Sequence, residues 1–272
     1  MKGVSRVEEG LGWEGFVTDE TLARLIGLAV ETHNLRPAPP NVDADAANLA
    51  LVAEVITAYI RRDGALRRHQ LSVQTVKTRL YSLRLVELRR ERGLANGLEH
   101  QDAISLVQQS GVEIERIELE LRQTGNALAL LVGVPSVSDF LPALPGVDPF
   151  VVQDIAAGMP ASLLASRPDI RDVADALAAN DSLRRQIDAQ QAQAQASAQH
   201  CNLTELRYRS GIDDHLRFLD AQRADFANQI TLIDLKTERQ LALTTLFRSL
   251  GGRWPRTESA QREMQRRHRT AQ

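Results

Sequence analysis

The six histidines are the residues of this chain best suited to hold a metal or move a proton, and their spacing defeats both uses. His33, His69, His100, His200, His215 and His268 are scattered, and no two stand four residues apart, the separation that puts two imidazoles on one helix face. His100 and Asp102 are near neighbours, but no nucleophile is placed with them. No glycine-rich loop follows a strand to cradle a phosphate. Cys201 is the only cysteine, which excludes an intrachain disulfide and a thiolate metal cluster, and it reads as a packed or surface residue. The sequence therefore predicts no enzyme, no cofactor and no metal site.

Charge pairing offers more. Asp220 and Arg223 are three residues apart, so on a helix they share a face and can pair. As a solvated pair they would contribute only ~0–1 kcal/mol. Tyr208 and Leu216 flank the same Gly211, three residues before it and five after it.

These residues must be carried by helices. The chain has 272 residues, with 43% hydrophobic and only 4% aromatic side chains, and it is rich in Ala, Leu, Gln, Glu and Arg. Its 33 Lys+Arg against 35 Asp+Glu leave a formal charge of -2, which argues against nucleic-acid binding through bulk positive charge. Met1 to Gly10 lacks the apolar core of a signal peptide. No stretch reaches the ~18 apolar residues of a spanning helix, and no ~10-residue alternating segments mark membrane β-strands, so the chain is expected to be soluble. NALALLVG (126–133) is too short to span and fits the end of a coiled coil.

Breakers divide the chain. Residues 1–42 form a lead-in, in which Asp19 can cap a helix presenting Leu22, Leu25, Ile26 and Ala29 on one face, before the RPAPPN segment (36–41) interrupts. From about Asp43 to Arg92 there is no proline, which predicts a rod of roughly 75 Å at ~1.5 Å per residue. A turn at 93–97 leads into a second run from about Leu98 to Val132. Its Ile114, Ile117, Leu121, Leu128 and Leu131 follow coiled-coil spacing. Residues 43–132 thus read as one antiparallel helical hairpin, because the connection is too short for anything else. Residues 133–168, rich in Pro, Gly and Ser, read as an irregular linker. Residues 169–254 read as a second hairpin turning at 210–214, and the polar tail 255–272 as disordered.

The two hairpins repeat each other. LRRERGLANGLEHQDA (88–103) sets over LRYRSGIDDHLRFLDA (206–221) at one fixed offset: Arg89 meets Arg207, Gly93 meets Gly211, Leu94 meets Ile212, Leu98 meets Leu216, and Asp102-Ala103 meets Asp220-Ala221. Gly133 meets Gly251 at the same offset, and DADAAN (43–48) echoes DALAAN (175–180) at another. A hairpin that cannot bury its apolar stripe alone stacks on a copy of itself. The predicted fold class is all-α, two long antiparallel coiled-coil hairpins. The repeat is uneven at one place: the first hairpin has Arg90 where the second has Tyr208, and Ser105 where the second has Arg223.

At these residues a family resemblance emerges. LGWEGFVTDETLARLIGLAVETHNLR (11–36), AEVITAYIRR (53–62), ERGLANGLEHQDA (91–103), NALALLVGVP (126–135), MPASLLASRPDIR (159–171), AANDS (178–182), RYRSGIDDHLRFLDAQR (207–223) and LFRSLGGRW (246–254) resemble, in order, segments of the outer-membrane channel component of tripartite RND-type multidrug efflux pumps, in the OprM/NodT branch of the TolC-like outer membrane factors. The family's signal peptide, lipidated cysteine and two pairs of β-strands have no counterpart here. The strands would fall after about 42–47 and after about 180–182.

The resemblance implies one third of a TolC-like twelve-helix barrel, formed by a homotrimer, without its membrane-spanning barrel. It implies a passive conduit in the periplasmic part of an outer-membrane channel, contacting a periplasmic adaptor and, indirectly, an RND inner-membrane transporter. Gly93, Leu94 and Ala95, with Gly211, Ile212 and Asp213, would be the adaptor-contact tips, although tight turning alone also accounts for both glycines. Tyr208, Leu216, Asp220 and Arg223 would form a gate at the closed end, with Tyr208 donating to Asp220. The other readings are a coiled-coil interaction or scaffold module and a barrel-less, non-functional remnant.

Overall fold

A computed structural model describes residues 16–33, 42–141 and 169–249. Within them the chain forms five helices and no β-strand element: α1 (Glu20–Thr32), α2 (Val42–Glu91), α3 (Gly97–Val132), α4 (Asp169–Arg209) and α5 (His215–Ser249). The RPAPPN segment, the linker from 142 to 168 and the polar tail lie outside the described residues, as does Gly251.

The helix ends follow local chemistry. Asp19 caps α1, its carboxylate accepting from the Leu22 N–H at 3.0 Å. Asn96 and Asp214 do the same for α3 and α5: their side chains accept from the Glu99 and Arg217 N–H groups, each at 2.9 Å. At the other ends, α2 and α4 close in the same way. Gly93 and Gly211 take φ of 70° and 73°, a region that side-chain-bearing residues resist. The Leu94 N–H reaches back to the Arg89 carbonyl at 2.8 Å, and the Ile212 N–H to the Arg207 carbonyl at 2.9 Å. Glycine and N-cap therefore recur together at the offset of the sequence repeat.

Each hairpin is antiparallel, because partner numbers fall on one helix as they rise on the other. Between α2 and α3 the pairs are Arg68 with Glu120, Arg79 with Ser110, and Glu87 with His100. Between α4 and α5 they are Asn180 with Arg239 and Gln190 with Asn228. Of the predicted α3 stripe, Ile117 and Leu128 are buried, and Ile114, Leu121 and Leu131 are half-buried.

Packing divides the chain into two compact units, each drawing on both hairpins. The first comprises residues up to 59, 127–178 and from 240 onward. Here the expected α1 face is buried, with Leu22, Leu25, Ile26 and Ala29 turned inward. Tyr59 donates to the second oxygen of the capping Asp19 at 2.9 Å. Phe16 stacks on Phe247 with ring centroids 4.8 Å apart, and Val173, Ala176 and Leu246 form a small apolar cluster.

The second unit, 60–126 with 179–239, contains both turns. Its α2 seam steps by seven through Ala65, Ser72, Arg79 and Val86, all buried, which is the repeat of a coiled coil. The seam is unusually polar. Against α5, Arg68 pairs with Asp234 at 2.7 Å, Ser82 accepts from Gln222 at 2.8 Å, and the Arg79 guanidinium lies 5.2 Å from the centre of the Phe226 ring. Gly64 allows the two helices to approach: a Cβ there would stand 2.6 Å from the Thr237 hydroxyl oxygen.

Candidate functional site

The candidate site is the turn between α4 and α5 with the first turns of α5. Phe218, Leu219, Ala221 and Gln222 lie on the buried face of α5 here, and Leu216, Asp220 and Arg223 on the exposed one. Asp220 and Arg223 do pair, at 3.3 Å, with side chains 64% and 46% exposed. Leu216 is 57% exposed, an apolar side chain turned out one helical turn before Asp220.

Tyr208 departs from the sequence expectation. It is 1% exposed and packs inward, 5.2 Å from the His215 ring and 5.7 Å from the Phe218 ring, with the Arg89 guanidinium 4.6 Å from its own ring centre. Its hydroxyl has no hydrogen-bond partner, so within one chain Tyr208 does not donate to Asp220. The Arg89 guanidinium over its ring holds Tyr208 on the inner side. His215, Phe218 and Ala221 share one stripe of α5, and Tyr208 meets that stripe, while Asp220 points away from it. Burial raises the Tyr208 phenol pKa against the opposing Arg89 charge. The nearby Glu99 carboxylate also raises it, without the geometry of a completed hydrogen bond.

His215 is the residue that sequence reasoning missed. It is buried, and neither ring nitrogen has a partner. Burial lowers its pKa, with Arg89 adding to that effect and Glu99, Asp102 and Asp214 opposing it. Its signal was available: His215 follows the capping Asp214 and stands three residues before Phe218, an arrangement that puts both rings on one face.

The turn is also clamped electrostatically. Arg207 grips Asp213 with two donors, Nε at 2.6 Å and Nη2 at 3.1 Å. This fork holds the Asp213 carboxyl below its ordinary pKa and raises that of Arg207, and Arg217 adds a more distant charge at 3.8 Å. Of the tip residues, Gly93, Leu94, Gly211 and Ile212 are exposed, while Ala95 and Asp213 are half-exposed. The structure thus brings Tyr208, His215 and Phe218 together inside, and leaves Leu216, Asp220 and Arg223 outside. Among the described residues no cluster of His, Cys, Asp and Glu could hold a metal ion. Cys201 is half-buried and its thiol is pushed up to about 11, chiefly by burial, which makes it a poor nucleophile.

Two antiparallel hairpins, repeated in sequence and packed side by side, are the helical part of a TolC-like outer-membrane channel fold. Solved structures share it. A membrane protein from Pseudomonas aeruginosa superposes with a TM-score of 0.79 at 27% identity, covering 96% of this chain and 98% of that one. The open-state MtrE outer membrane channel of Neisseria gonorrhoeae gives 0.73 at 20% identity, covering 94% of each chain.

The chain belongs to the outer membrane efflux protein family, whose model matches residues 40–134 and 165–252. Outer membrane protein OprJ of Pseudomonas aeruginosa is 35% identical, in an alignment that covers 78% of this chain and 63% of OprJ. The cation efflux system protein CusC of Escherichia coli is 24% identical, over 77% of this chain and 65% of CusC. The chain therefore spans just under two thirds of the length of either relative. None of the described helices is long and apolar enough to cross a membrane.

Proposed function

We propose that this chain supplies the helical tunnel portion of an outer membrane efflux channel: a passive conduit, assembled as a homotrimer, for small molecules handled by a tripartite pump. The observation that carries the reading is the two-sided character of the second turn. Its inner face is a closed aromatic cluster. Its outer face presents Leu216 and the Asp220–Arg223 pair, none of which the fold of the single chain requires. Groups of that kind suit a constriction contributed by several copies. Charge-assisted bonds of ~1.5–3 kcal/mol, partly shielded from water, can hold helices inward and still be released one at a time. Membership of the family and the similarity to OprJ support the same reading.

In this arrangement the tips meet a periplasmic adaptor through Gly93, Leu94 and Ala95 and through Gly211, Ile212 and Asp213. Leu94 and Ile212 occupy matched positions and both project into solvent, as do Leu98 and Leu216. The RND transporter is engaged only through that adaptor, and the chain resides on the periplasmic side of the outer membrane. Asp220 and Arg223 act between copies, while Tyr208 acts from inside by fixing the start of α5.

Sedimentation velocity over a wide concentration range tests assembly, and a trimer is expected. Asp220→Cys in a Cys201→Ser background should then crosslink under oxidation at rates that follow trimer formation. A monomer at every concentration, or no crosslink within a proven trimer, would overturn the reading.

A further inference from the structure

Arg79 is a buried cation in a seam position, one that coiled-coil packing ordinarily fills with an apolar side chain. Its Nη1 donates to the Ser110 hydroxyl and to the Leu106 carbonyl, the latter at 3.3 Å, while Nε is buried without a partner among the described residues. Among the described residues no carboxylate pairs with it. Instead the Arg223 charge adds to burial in lowering its pKa. Leaving a buried charge uncompensated is costly, and proteins ordinarily neutralise it with a counter-ion.

The space for one is present. A cavity of about 310 Å³ opens beside Arg79 between α2, α3 and α5, lined among others by Ser72, Thr75, Ser110, Glu113 and Arg223. The Ser72 hydroxyl is a second buried polar group here with no partner. Glu113, the one acid of the lining, has its carboxylate 3.7 Å from Arg116 on its own helix. We propose that this cavity binds an oxyanion group of a small molecule, a carboxylate or a phosphate, between the Arg79 and Arg223 guanidiniums. A planar guanidinium matches both groups, and the unpartnered hydroxyl of Ser72 supplies a further donor. The site does not depend on the channel reading, since it is complete within one chain.

Inorganic phosphate and succinate are the two probes, read by the arginine side-chain N–H resonances of the whole chain. A saturable shift of Arg79 is expected with at least one of them; saturation by both marks a general oxyanion site, and by one alone identifies the preferred group. Arg79→Gln should weaken binding at least tenfold, and Arg223→Gln several-fold. Glu113→Gln should tighten it, because it removes a like charge from the lining, an effect that a purely structural role for these residues would not produce. If Arg79→Gln fails to fold, Arg223→Gln decides, since Arg223 lies outside the seam. A non-saturating response to both probes, or an affinity unchanged in the arginine variants, would overturn the proposal.

Discussion

The two turns share a backbone and differ in what is packed behind it. Each closes a helix with a glycine at positive φ and opens the next with a side-chain cap, in the same register. Behind the second turn lie Tyr208, His215 and Phe218. At the matched positions of the first stand Arg90, Gly97 and His100, with Arg90 Nη1 beside His100 Nδ1 at 3.4 Å. The first turn nevertheless contributes to the second: Arg89 covers the Tyr208 ring and donates to the Tyr208 carbonyl at 3.2 Å. Capping and glycine suffice to make a turn. A cluster behind it is a separate property, which fixes the turn relative to its neighbour.

The largest difference between the turns should appear when that cluster is emptied. Phe218 is fully buried, and Phe218→Ala should cost about 3–5 kcal/mol through lost burial and the cavity left behind. His100→Ala, its counterpart at the first turn, removes a smaller side chain that is 17% exposed and paired with Glu87, and should cost about 1 kcal/mol. Urea unfolding gives both values. Hydrogen exchange should localise the Phe218→Ala damage to the start of α5, while the first turn keeps its protection. Equal losses at the two positions would break the comparison.

Removing the caps should instead make the turns look alike. Asn96→Ala and Asp214→Ala should each cost ~1 kcal/mol, since each removes one side-chain bond to an otherwise orphaned N–H group. Gly93→Ala and Gly211→Ala should each cost ~1–2 kcal/mol, because both φ values are positive and nothing else lies within 4 Å of the added carbon. A marked asymmetry between either pair would mean that the cluster supports the backbone of the second turn as well as its side chains.

Acid should separate the turns again. The His215 pKa is lowered by burial, so its folded value lies below the ordinary 6.5. Its neutral form is the one the fold accepts. The stability it contributes is therefore present above pH ~6.5 and is lost as the pH falls from there through the folded value. Asp213, lowered by Arg207, contributes in a more acidic window: present above its ordinary 3.8, and lost as the pH falls through its own folded value. Exchange protection at the start of α5 should fall first in the His215 window, and His215→Phe should abolish that step while leaving the Asp213 step. Persistence of the first step in His215→Phe would assign it to another group.

Much of this was legible in the chain itself. Asp19, Asn96 and Asp214 are cap residues, and Gly93 and Gly211 are natural helix stops, so the start of α1 and the two turns fall within about a residue of where caps and breakers place them. The fixed offset between the hairpins likewise carried over from sequence to backbone. What periodicity left open is which side of a turn a residue faces when it lies three positions from the glycine. Tyr208 could face out toward Asp220 or in toward His215, and register alone does not decide. The decision comes from Arg89, more than a hundred residues away in sequence, whose cation finds the tyrosine ring once the hairpins pack. The polar seam was hidden for the same reason: Arg79 reads as an ordinary surface arginine until Ser110 and Phe226 are brought against it.

The smallest effect on the isolated chain is expected where the proposed function is most concentrated. Asp220 and Arg223 are joined by one bond at 3.3 Å and are both largely solvated, so an exposed pair of this type contributes ~0–1 kcal/mol. Asp220→Ala with Arg223→Ala should therefore leave helical content unchanged and move the urea midpoint very little. Asp102→Ala, at the matched position of the first hairpin where no arginine follows three residues on, should do the same. The variants should diverge only when copies meet. If Asp220 and Arg223 close a constriction between chains, the double variant should weaken trimer formation or raise the ion conductance of the assembled channel, and Asp102→Ala should change neither. A double variant that unfolds the isolated chain would place the pair in its core, contrary to its exposure. One that alters neither stability, assembly nor conductance would reduce it to a surface ion pair and move the search for a constriction to Leu216 and the tips.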